Sequence, residues 1–545
     1  MDVPAKSGLD FWHYSGATGD FRLPEIAGSG AALIDYDHDG DLDIYLVQGA
    51  PEGPLPGFKP LVPTPPGWKP GNRLFRNNLI PSGKLSFTDV TEEAGVGYKG
   101  VGMGVAAGDY DNDGNMDLYV TNYCHNVLYH NNGNGTFKDV TAAAGVGSSG
   151  WSTSAAFIDY DRDGYLDLVV VHYVAFDTQT CFLSSGRKDY CSPKTFPPTI
   201  TQVFHNLGNG RFKDVTNEVG LNAARGPGLG ILTGDFDHDG WPDFMVANDG
   251  AANHLWLNEG DGKRRSFKES GLTHGIAYAS DGRPRAGMGV AAADLYGEGQ
   301  EDVMVTNLPT EGFTLYQGQP GGNFMDASAE SRMLRASLPH TGFGVGWIDL
   351  ENRGLLDLFT ANGAVAALPT QQGDPYPYYE RNLLLRNLGK GKGFDDITAS
   401  AGAPLQRLGI GRAAVFGDVN NDGGMDILVT NNNGPARLLL NSVPKRGHWL
   451  LVQLEGSRSN RSAYGSVVNL IRKDGTSIQR YVRGDGSYLA ANDPRVHFGL
   501  GKSPDVDHVQ VRWPAGGCES WSQITVDRIM NLREGSGQPC PSGRP

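Results

Sequence analysis

Two apolar runs separated by a short acidic segment recur along the chain. A small apolar run such as Ala31–Ile34 comes first, and an alternating run of β-branched and aromatic residues such as Asp43–Gln48 follows the acidic segment. A third apolar run comes next, and turns rich in Gly and Asn lead to a fourth run with a Phe-x-Asp-x-Thr pattern, as at Phe87–Thr91. Short runs bounded by turn residues predict β-strands. Four antiparallel strands per repeat are typical of a propeller blade.

The acidic segment occurs seven times, and five copies are nearly complete. A complete copy has carboxylates at positions 1, 3, 5 and 9 and Gly at position 6, which suits a hard cation that needs several oxygen ligands in a tight turn. The flanking strands distinguish it from an EF-hand. Because the segments repeat around the chain, whereas a catalytic ion is unique, we expect about five structural Ca²⁺ sites. The candidate metal ligands are Asp35, Asp37, Asp39, Asp43, Asp109, Asp111, Asp113, Asp117, Asp159, Asp161, Asp163, Asp167, Asp235, Asp237, Asp239, Asp243, Asp418, Asn420, Asp422 and Asp426.

Two copies of the acidic segment are degraded. The fifth has Tyr296 and Glu298 between Asp294 and Asp302, and the sixth has Arg353 in place of a ligand. We interpret the Arg353 guanidinium as a substitute for the ion, and we count neither copy as a calcium site.

The two ends of the repeat region complement one another. Asp2–Gly8 aligns with Asp89–Gly95, a fourth strand and its exit turn, so the chain begins with the outer strand of the last blade. Pairing both ends in one blade hides two sheet edges. The fold class is therefore predicted to be all-β, with a seven-bladed propeller over residues 1–446, a small sandwich-like β domain over 447–536 and a tail over 537–545.

Charge and composition exclude several function classes. The net charge of −15 argues against nucleic acid as a partner, since phosphate binding needs a basic surface. No apolar run approaches the roughly 18–20 residues that a membrane span requires. The 77 glycines, about twice the usual ~7%, fit a fold with many turns.

Five cysteines bear on the compartment. Cys181 and Cys191 are close in sequence, as are Cys518 and Cys540, so the spacing favours two local disulfides with Cys124 left over. Five reduced thiols are the alternative. No secretion signal is visible, and because the chain opens in the middle of a blade we expect that a targeting segment has been removed. We expect an extracellular or periplasmic protein.

The tail carries specific motifs. They are Ser459–Gly465, Arg483–Tyr488, His497–Gly501 and Val511–Pro514. In order and spacing they resemble the ASPIC/UnbV domain, and the repeats resemble the FG-GAP/VCBS propellers, whose best-known members are integrin α-subunits. The chain is similar to bacterial relatives of the cartilage acidic protein family, which the opening His13, Glu25 and Gly28–Gly30 pattern also fits.

The resemblance implies a secreted calcium-binding or adhesion-like protein. Some calcium-binding propellers of similar repeat type are enzymes, including lyases, dehydratases and enzymes that alkylate aromatic or carboxylate nucleophiles. The Arg-Gly-Asp at 483–485 suggests an integrin ligand, but its match to the domain's own motif favours a plain β-turn.

Two sets of loops are expected to reach the propeller axis on the face opposite the acidic segments: those after second strands and those before first strands. The candidate ligand-binding residues in these loops are Asn122, Tyr123, Cys124, His125, Trp151, Tyr173, Asn248, Asp249 and His340. The candidate catalytic residues, in which imidazole and carboxyl groups act as acid and base and an Arg holds an anion, are His13, Glu25, His172, Arg225 and Arg285. The Asn that recurs after several second strands is also expected to cap a turn.

These patterns predict a secreted protein that recognises a carbohydrate, protein or small-molecule ligand on this axial face. The alternative is an enzyme that uses the same pocket, such as a lyase, a dehydratase or a bond-forming cyclising or alkylating enzyme. A purely structural or adhesive cell-surface protein is a third hypothesis. The fold does not choose between them, because propellers host all three. The axial loops differ between blades while the acidic segments stay alike, which favours a real site.

Overall fold

A computed structural model describes residues 2–3, 7–50, 62–183, 186–260, 265–366 and 377–540. Regular structure in these ranges is nearly all strand, which confirms the all-β fold class. The α-helices are single turns, at Pro24–Ala27, Leu79–Ser82, Thr91–Ala94, Thr141–Ala144 and Met333–Ser337. Three 3₁₀ turns lie at Pro193–Thr195, Leu221–Ala223 and Ala403–Gln406. None of the helices in these ranges has the length and apolar character needed to cross a membrane.

Each repeat folds into one antiparallel sheet whose strands pair in chain order. The first sheet contains Ala31–Ile34, Asp43–Leu46, Arg73–Asn77 and Phe87–Asp89, and the second contains Val101–Gly108, Asp117–Tyr123, Val127–Asn131 and Phe137–Asp139. The third contains Ser152–Ile158, Asp167–His172, Gln202–Asn206 and Phe212–Asp214, and the fourth contains Gly228–Gly234, Asp243–Asn248, His254–Gly260 and Arg265–Glu269. The fifth contains Val290–Ala293, Asp302–Val305, Thr314–Gln319 and Asn323–Asp326. The sixth contains Gly342–Ile348, Asp357–Asn362, Leu383–Asn387 and Phe394–Asp396, and the seventh contains Gly411–Gly417, Asp426–Asn431 and Arg437–Leu439.

The first strands of these sheets form a closed ring. Each contacts the first strand of the next sheet, and Gly411–Gly417 of the seventh contacts Ala31–Ile34 of the first. Asp2 forms a bridge with Leu439, so both ends of the repeat region meet in the seventh sheet. Apolar side chains fill the space between neighbouring sheets. This is the arrangement of propeller blades around a central axis.

The C-terminal region forms two further sheets. One contains Val496–Gly501, His448–Glu455 and Arg528–Arg533, and the other contains Ser477–Tyr481, Val467–Arg472, Val506–Arg512, Cys518–Ser522 and Gln538–Pro539. Their apolar core continues into that of the second and third propeller sheets. The domain bounds 1–446, 447–536 and 537–545 stay a prediction, and residues 541–545 of the tail lie outside the described residues.

The C-terminal domain lies on the face that carries the acidic loops. The Asp109 amide donates to Ser462 Oγ at 3.0 Å, and the Arg461 amide donates to Asn112 Oδ1 at 2.8 Å. On the seventh sheet, Arg495 Nη2 donates to the Asp418 carbonyl at 3.0 Å. The domain therefore covers parts of the second and seventh acidic loops.

One segment of this domain enters the ring. We call residues 483–493 the plug. Ser487 exchanges two backbone hydrogen bonds with Val290, and its Oγ accepts from the Val345 amide at 3.0 Å and donates to the Ala414 carbonyl at 2.6 Å. Ala490–Ala491 pairs in parallel with the first strand of the first sheet. The plug thus contacts the first, fifth, sixth and seventh sheets from the axis.

The Arg-Gly-Asp sequence belongs to the plug. Asp485 is buried and accepts from both the backbone amide and the hydroxyl of Thr233, at 3.0 and 2.5 Å. Arg483 pairs with Glu301, and its side chain is only 10% exposed. These contacts make the tripeptide part of the domain contact, which argues against the integrin-ligand interpretation, and its backbone bends at Gly484.

Both expected disulfides are present. Cys181–Cys191 and Cys518–Cys540 are bonded, with Cα–Cα distances of 5.1 and 5.4 Å, and Cys124 is an exposed free thiol. The first bond closes a loop in the insertion of the third sheet, which also contains the short hairpin of Cys181–Phe182 and Lys188–Asp189. A second two-stranded pair, Glu380–Arg381 with Leu408–Gly409, joins the insertions near the sixth and seventh sheets.

Candidate metal centres and candidate binding groove

The acidic loops gather carboxylates around one point. In each of the first three loops, three carboxylates place one oxygen apiece within 4.8 Å of one another. The backbone is bent for this by a left-handed residue at position 4 and by Gly at position 6, as at His38 (φ 62°) and Gly40 (φ 94°). The amide of that Gly donates to the position 1 carboxylate, at 3.2 Å from Gly40 to Asp35 and 2.8 Å from Gly423 to Asp418.

The carboxylate at position 9 joins each loop to the third strand. Asp117 is fully buried and accepts from the amides of Tyr110 (3.2 Å) and Asn131 (2.8 Å). Asn131 Nδ2 donates in turn to the carbonyl of Tyr36 in the preceding sheet, at 2.9 Å. The equivalent inter-sheet bonds are made by Asn77, Asn206, Asn258 and Asn441. The sequence analysis missed this residue, although Asn recurs at one place in the third apolar run.

The loop carboxylates are buried close to one another. Burial, followed by the charges of Asp167, Asp163 and Asp161, raises the pKa of Asp159 to about 8. Burial likewise raises the pKa of Asp117 to about 7. Carboxylates this perturbed are protonated near neutral pH unless a bound ion supplies the opposite charge. Oxygen ligands in a tight turn fit Ca²⁺. In the first loop, Asp35 Oδ1 and Asp37 Oδ1 are buried and accept no hydrogen bond from the protein.

The two degraded loops use cationic side chains instead. Arg353 Nη2 lies 2.8 Å from Asp357 Oδ1, and its Nε lies 2.9 Å from Glu351 Oε2, so the guanidinium bridges positions 3 and 9. In the fifth loop Lys390 Nζ reaches Glu298 Oε1 at 2.5 Å. In the sixth loop, Arg353 thereby supplies positive charge between two carboxylates, whereas the Lys390–Glu298 pair of the fifth loop lies at the surface.

Two histidines that the sequence analysis did not select also face the acidic loops. His130 and His205 stand on the third strands of the second and third sheets, immediately before the inter-sheet Asn. Each places Nδ1 near two loop carboxylates. Their recurrence at one phase in two consecutive repeats was the available signal.

The axial end opposite the acidic loops is filled rather than open. Trp151 and Tyr173, expected to line a funnel, are 2% and 3% exposed, and their rings pack edge-to-face at 4.9 Å. The insertion of the third sheet lies over them, with Phe176 against Trp151 at 5.8 Å. Tyr190 of the same insertion reaches Glu25 Oε2 at 3.3 Å. The expected open funnel is therefore corrected to a packed apolar cluster closed by an insertion.

The candidate catalytic residues do not converge. His13 is buried beside Asn433, whose amide donates to His13 Nδ1 at 3.3 Å, whereas His172 bonds Ser148 Oγ (2.9 Å) and Ser152 Oγ (3.2 Å) in the third sheet. Burial lowers the pKa of His13 to about 3 and that of His172 to about 4, so both are neutral bases without a substrate-facing surface.

The remaining candidates are spread over several sheets. Arg285 pairs with Asp281 at 3.0 Å, and Arg225 is exposed. Glu25 is buried, and its pKa is raised to about 7 mainly by that burial. His340 lies 3.8 Å from Glu380 Oε2 in an ion-pair geometry.

The other candidate ligand-binding residues include turn caps, a buried carboxylate partner and exposed groups. Asn122 and Asn248 each direct Nδ2 to a nearby backbone carbonyl, as a turn cap does. Asp249 Oδ2 accepts from the Tyr173 hydroxyl at 2.5 Å. Tyr123 is half-buried, whereas Cys124 and His125 are exposed.

A groove lies where the first and last sheets meet. We call it the seam groove; it has a volume of about 650 Å³ and lies on the face opposite the acidic loops. Its lining includes Trp12, Trp68, Tyr379, Arg407, Asn433 and Arg437. Trp68 Nε1 donates to the Trp12 carbonyl at 3.1 Å, which fixes the indole, and Tyr379 is 43% exposed. Asp2 pairs with Arg407 (2.7 Å) and Arg437 (3.1 Å) at one side.

Comparison with known families agrees with this architecture. Residues 109–170, 186–246 and 235–305 match the FG-GAP-like repeat, and residues 456–539 match the ASPIC and UnbV family. The chain therefore carries FG-GAP-like repeats and a C-terminal ASPIC/UnbV domain. The resemblance that the sequence motifs predicted is thereby confirmed.

The chain is similar to cartilage acidic protein 1. The human protein is 27% identical over 310 residues, which are 56% of this chain and 43% of that protein. The Mus musculus protein is 24% identical over 514 residues, 90% of this chain and 71% of that protein. The chain therefore spans less than half the length of the human relative. Among solved structures, an Agrocybe aegerita lectin that recognises terminal N-acetylglucosamine is 16% identical, with a TM-score of 0.36, and the match covers 68% of this chain and 79% of the lectin.

Proposed function

We propose that this FG-GAP repeat protein is an extracellular or periplasmic recognition protein. Calcium ions in its acidic loops stabilise it, and it binds a ligand in the seam groove. The observation that carries the proposal is the groove itself, whose volume of about 650 Å³ falls in the range of about 300–1,000 Å³ typical of ligand sites. The two disulfides support an oxidising compartment.

The lining of the groove indicates the chemical class of the ligand. Trp12 and Trp68 offer flat apolar surface, while the exposed Arg407 and Tyr379 bring guanidinium and hydroxyl groups to the same groove. Aromatic faces combined with a few polar groups suit a ligand with both apolar faces and many hydroxyls. A saccharide is the ligand class that best matches this combination.

Calcium contributes through the propeller rather than through the ligand. The acidic loops lie on the opposite face from the groove, and they join neighbouring sheets through the third-strand Asn residues. An ion in each complete loop offsets the repulsion between buried carboxylates. Within the described residues no observation favours the enzyme alternative, because the candidate acid–base residues stand in different sheets and the two buried histidines bond to internal partners.

The test is a binding screen of soluble oligosaccharides followed by tryptophan fluorescence in the presence of calcium. Trp68→Ala should remove about 1–2 kcal/mol of contact, so the Kd should rise about five- to thirtyfold. Phe182→Ala is the matched control, because Phe182 is 61% exposed but lies outside the groove. Equal binding by Trp68→Ala, or no binding by the wild type across the panel, would refute the groove. Chemical conversion of a bound saccharide would favour an enzyme instead.

A further inference from the structure

The seam groove carries positive charge on the surface of an acidic protein. Its described lining contains four cationic side chains and three carboxylates, whereas the whole chain has a net charge of −15. The cationic side chains are Lys69, Arg73, Arg407 and Arg437, and the carboxylates are Asp2, Asp10 and Asp89. The charge of the groove is therefore opposite in sign to that of the protein as a whole.

On the wall near the seventh sheet, two guanidiniums share one carboxylate. Asp2 Oδ2 lies 3.1 Å from Arg437 Nη2 and 2.7 Å from Arg407 Nη1. Arg437 is the fixed partner, because its side chain is only 10% exposed and its Nη2 also donates to the Pro404 carbonyl at 2.7 Å. One carboxylate does not neutralise two guanidiniums, so this wall keeps a positive charge in excess.

Arg407 holds that excess charge where a ligand can reach it. Its side chain is 68% exposed, and its ion pair with Asp2 is the one that the described residues provide. A guanidinium has five N–H donors in a planar fork, and the bond to Asp2 uses a single Nη1–H of Arg407. The rest of the fork matches the paired oxygens of a carboxylate or a sulfate.

The wall near the first sheet carries a second exposed cation. Lys69 Nζ lies 3.2 Å from Asp89 Oδ2, and the Lys69 side chain is 66% exposed. Arg73 is buried in the same wall, and its described ion pair is with exposed Glu92 outside the lining, at 3.9 Å. Water screens so exposed and so long a pair, so Glu92 does little to reduce the charge of this wall.

Asp10 is the lining carboxylate that opposes an anionic ligand. It is exposed, and it has no ion pair with any residue that the structure describes. The four cations still exceed the three carboxylates when Asp10 is counted. Its position also offers a test, because its removal should raise the positive charge of the groove without removing a ligand contact.

We propose that the saccharide bound in the seam groove is anionic, with carboxylate or sulfate groups that bind the Arg407 guanidinium and the Lys69 ammonium. The indoles of Trp12 and Trp68 contact the apolar faces of the same sugar. The inference rests on the proposed saccharide binding and adds the charge of the ligand to it. A positive groove on an acidic protein also attracts such a ligand ahead of a neutral one during encounter.

The test compares one sugar with and without its charge. The probes are tetragalacturonate and its methyl ester, titrated into the whole chain in calcium and followed by calorimetry. A sulfated carrageenan tetrasaccharide and its desulfated form distinguish sulfate from carboxylate as the anionic group. We expect a charged form to bind about three- to thirtyfold more tightly than its neutral form, as two exposed charge pairs allow. The difference should shrink as salt is added, because salt screens exposed charges.

Three variants test the named side chains. Arg407→Gln and Lys69→Gln should each raise the Kd of the charged sugar about two- to fivefold and leave that of the neutral form unchanged. Lys268→Gln is the matched control for Lys69→Gln, because Lys268 is 65% exposed, pairs with Glu259 at 3.1 Å and lies outside the groove. Asp10→Asn should lower the Kd of the charged sugar about twofold. A gain of affinity of this kind does not arise from a folding defect.

Equal affinity for the charged and neutral forms of both sugars would overturn the proposal. Unchanged binding of the charged sugar by the Arg407→Gln, Lys69→Gln double variant would overturn it as well. In either case, weaker sugar binding by Trp68→Ala would leave the proposed function intact. The absence of binding by all four probes would refute the anionic saccharide, and the wider oligosaccharide panel would then decide the proposed function separately.

Discussion

Tyr488 is the residue through which the plug is expected to hold the C-terminal domain in the ring. Its side chain is 1% exposed, and its ring meets Phe343 of the sixth sheet edge-to-face at 4.8 Å. The hydroxyl donates to the carbonyl of Ala27, which precedes the first sheet, at 2.8 Å. This one side chain therefore links the plug to the sixth sheet through Phe343 and to the segment before the first sheet through Ala27.

The expected cost follows from these contacts. Tyr488→Phe leaves the Ala27 carbonyl without this donor, which should cost about 1–3 kcal/mol. Tyr488→Ala also removes the ring and opens a cavity. Truncation of a large buried aromatic side chain typically destabilises the folded state by about 3–5 kcal/mol. Since about 1.4 kcal/mol is a factor of ten, the truncation should raise the population of the undocked state at least about a hundredfold.

Hydrogen exchange at Val290 and Val345 measures that population. Both amides donate to Ser487 of the plug, so they exchange when the plug leaves. We expect Tyr488→Ala to accelerate exchange at these two amides by about a hundredfold. Tyr119→Phe is the control, because Tyr119 is equally buried and donates to the Val146 carbonyl within the second repeat. Unchanged exchange in Tyr488→Ala, or equal acceleration throughout the chain, would refute the role of the plug.

Three further predictions concern the loops and the buried histidine. Asp159→Ala should lower the melting temperature in calcium but change it far less in chelator, and equal shifts in both would contradict a bound ion. Asn131→Ala leaves the Tyr36 carbonyl without its donor and should cost about 1–3 kcal/mol, whereas exposed Asn132→Ala should cost less than about 0.5, both by urea unfolding. Burial lowers the pKa of His172 to about 4 from 6.5, so its contribution to the free energy of unfolding is complete above pH 6.5 and is lost as the pH falls towards 4. His172→Gln should reduce this loss of stability at low pH. An unchanged dependence of stability on pH would argue against the role of His172.

The fold was predictable because its signal is local and repeated. Each acidic segment such as Asp109–Asp117 contains its own turn geometry, with Gly114 at the position that needs a positive φ. In the strands on either side, apolar and polar residues alternate within a few positions, so the same unit is recognisable in each repeat. The Cys181–Cys191 and Cys518–Cys540 bonds were local for the same reason.

The axial region was not predictable, because its contacts join distant parts of the chain. Asp485 contacts Thr233, and Tyr488 contacts Ala27, across hundreds of residues. In sequence the plug looks like an exposed turn, since Gly, Ser, Asp and Asn make up six of its eleven residues. Phe176 fills the expected funnel, and it belongs to an insertion whose position cannot be predicted because it lacks the periodic pattern of the strands. His130 was overlooked because its signal, an imidazole at the same phase as His205, occurs in only two of the repeats.

The plug also fixes the order in which the molecule can be completed during synthesis. The ring is translated first, but the inner-strand amides of Val290 and Val345 gain their partners only when Ser487 has left the ribosome. The central channel of the ring is tightly filled by the plug there, because a Cβ atom at Gly30 would lie 2.5 Å from the Leu489 carbonyl oxygen. Nearly nine-tenths of the chain is therefore synthesised before the plug can complete the contacts at the axis. A nascent chain halted before the C-terminal domain would expose an unfinished axis, the kind of surface that recruits chaperones and proteases.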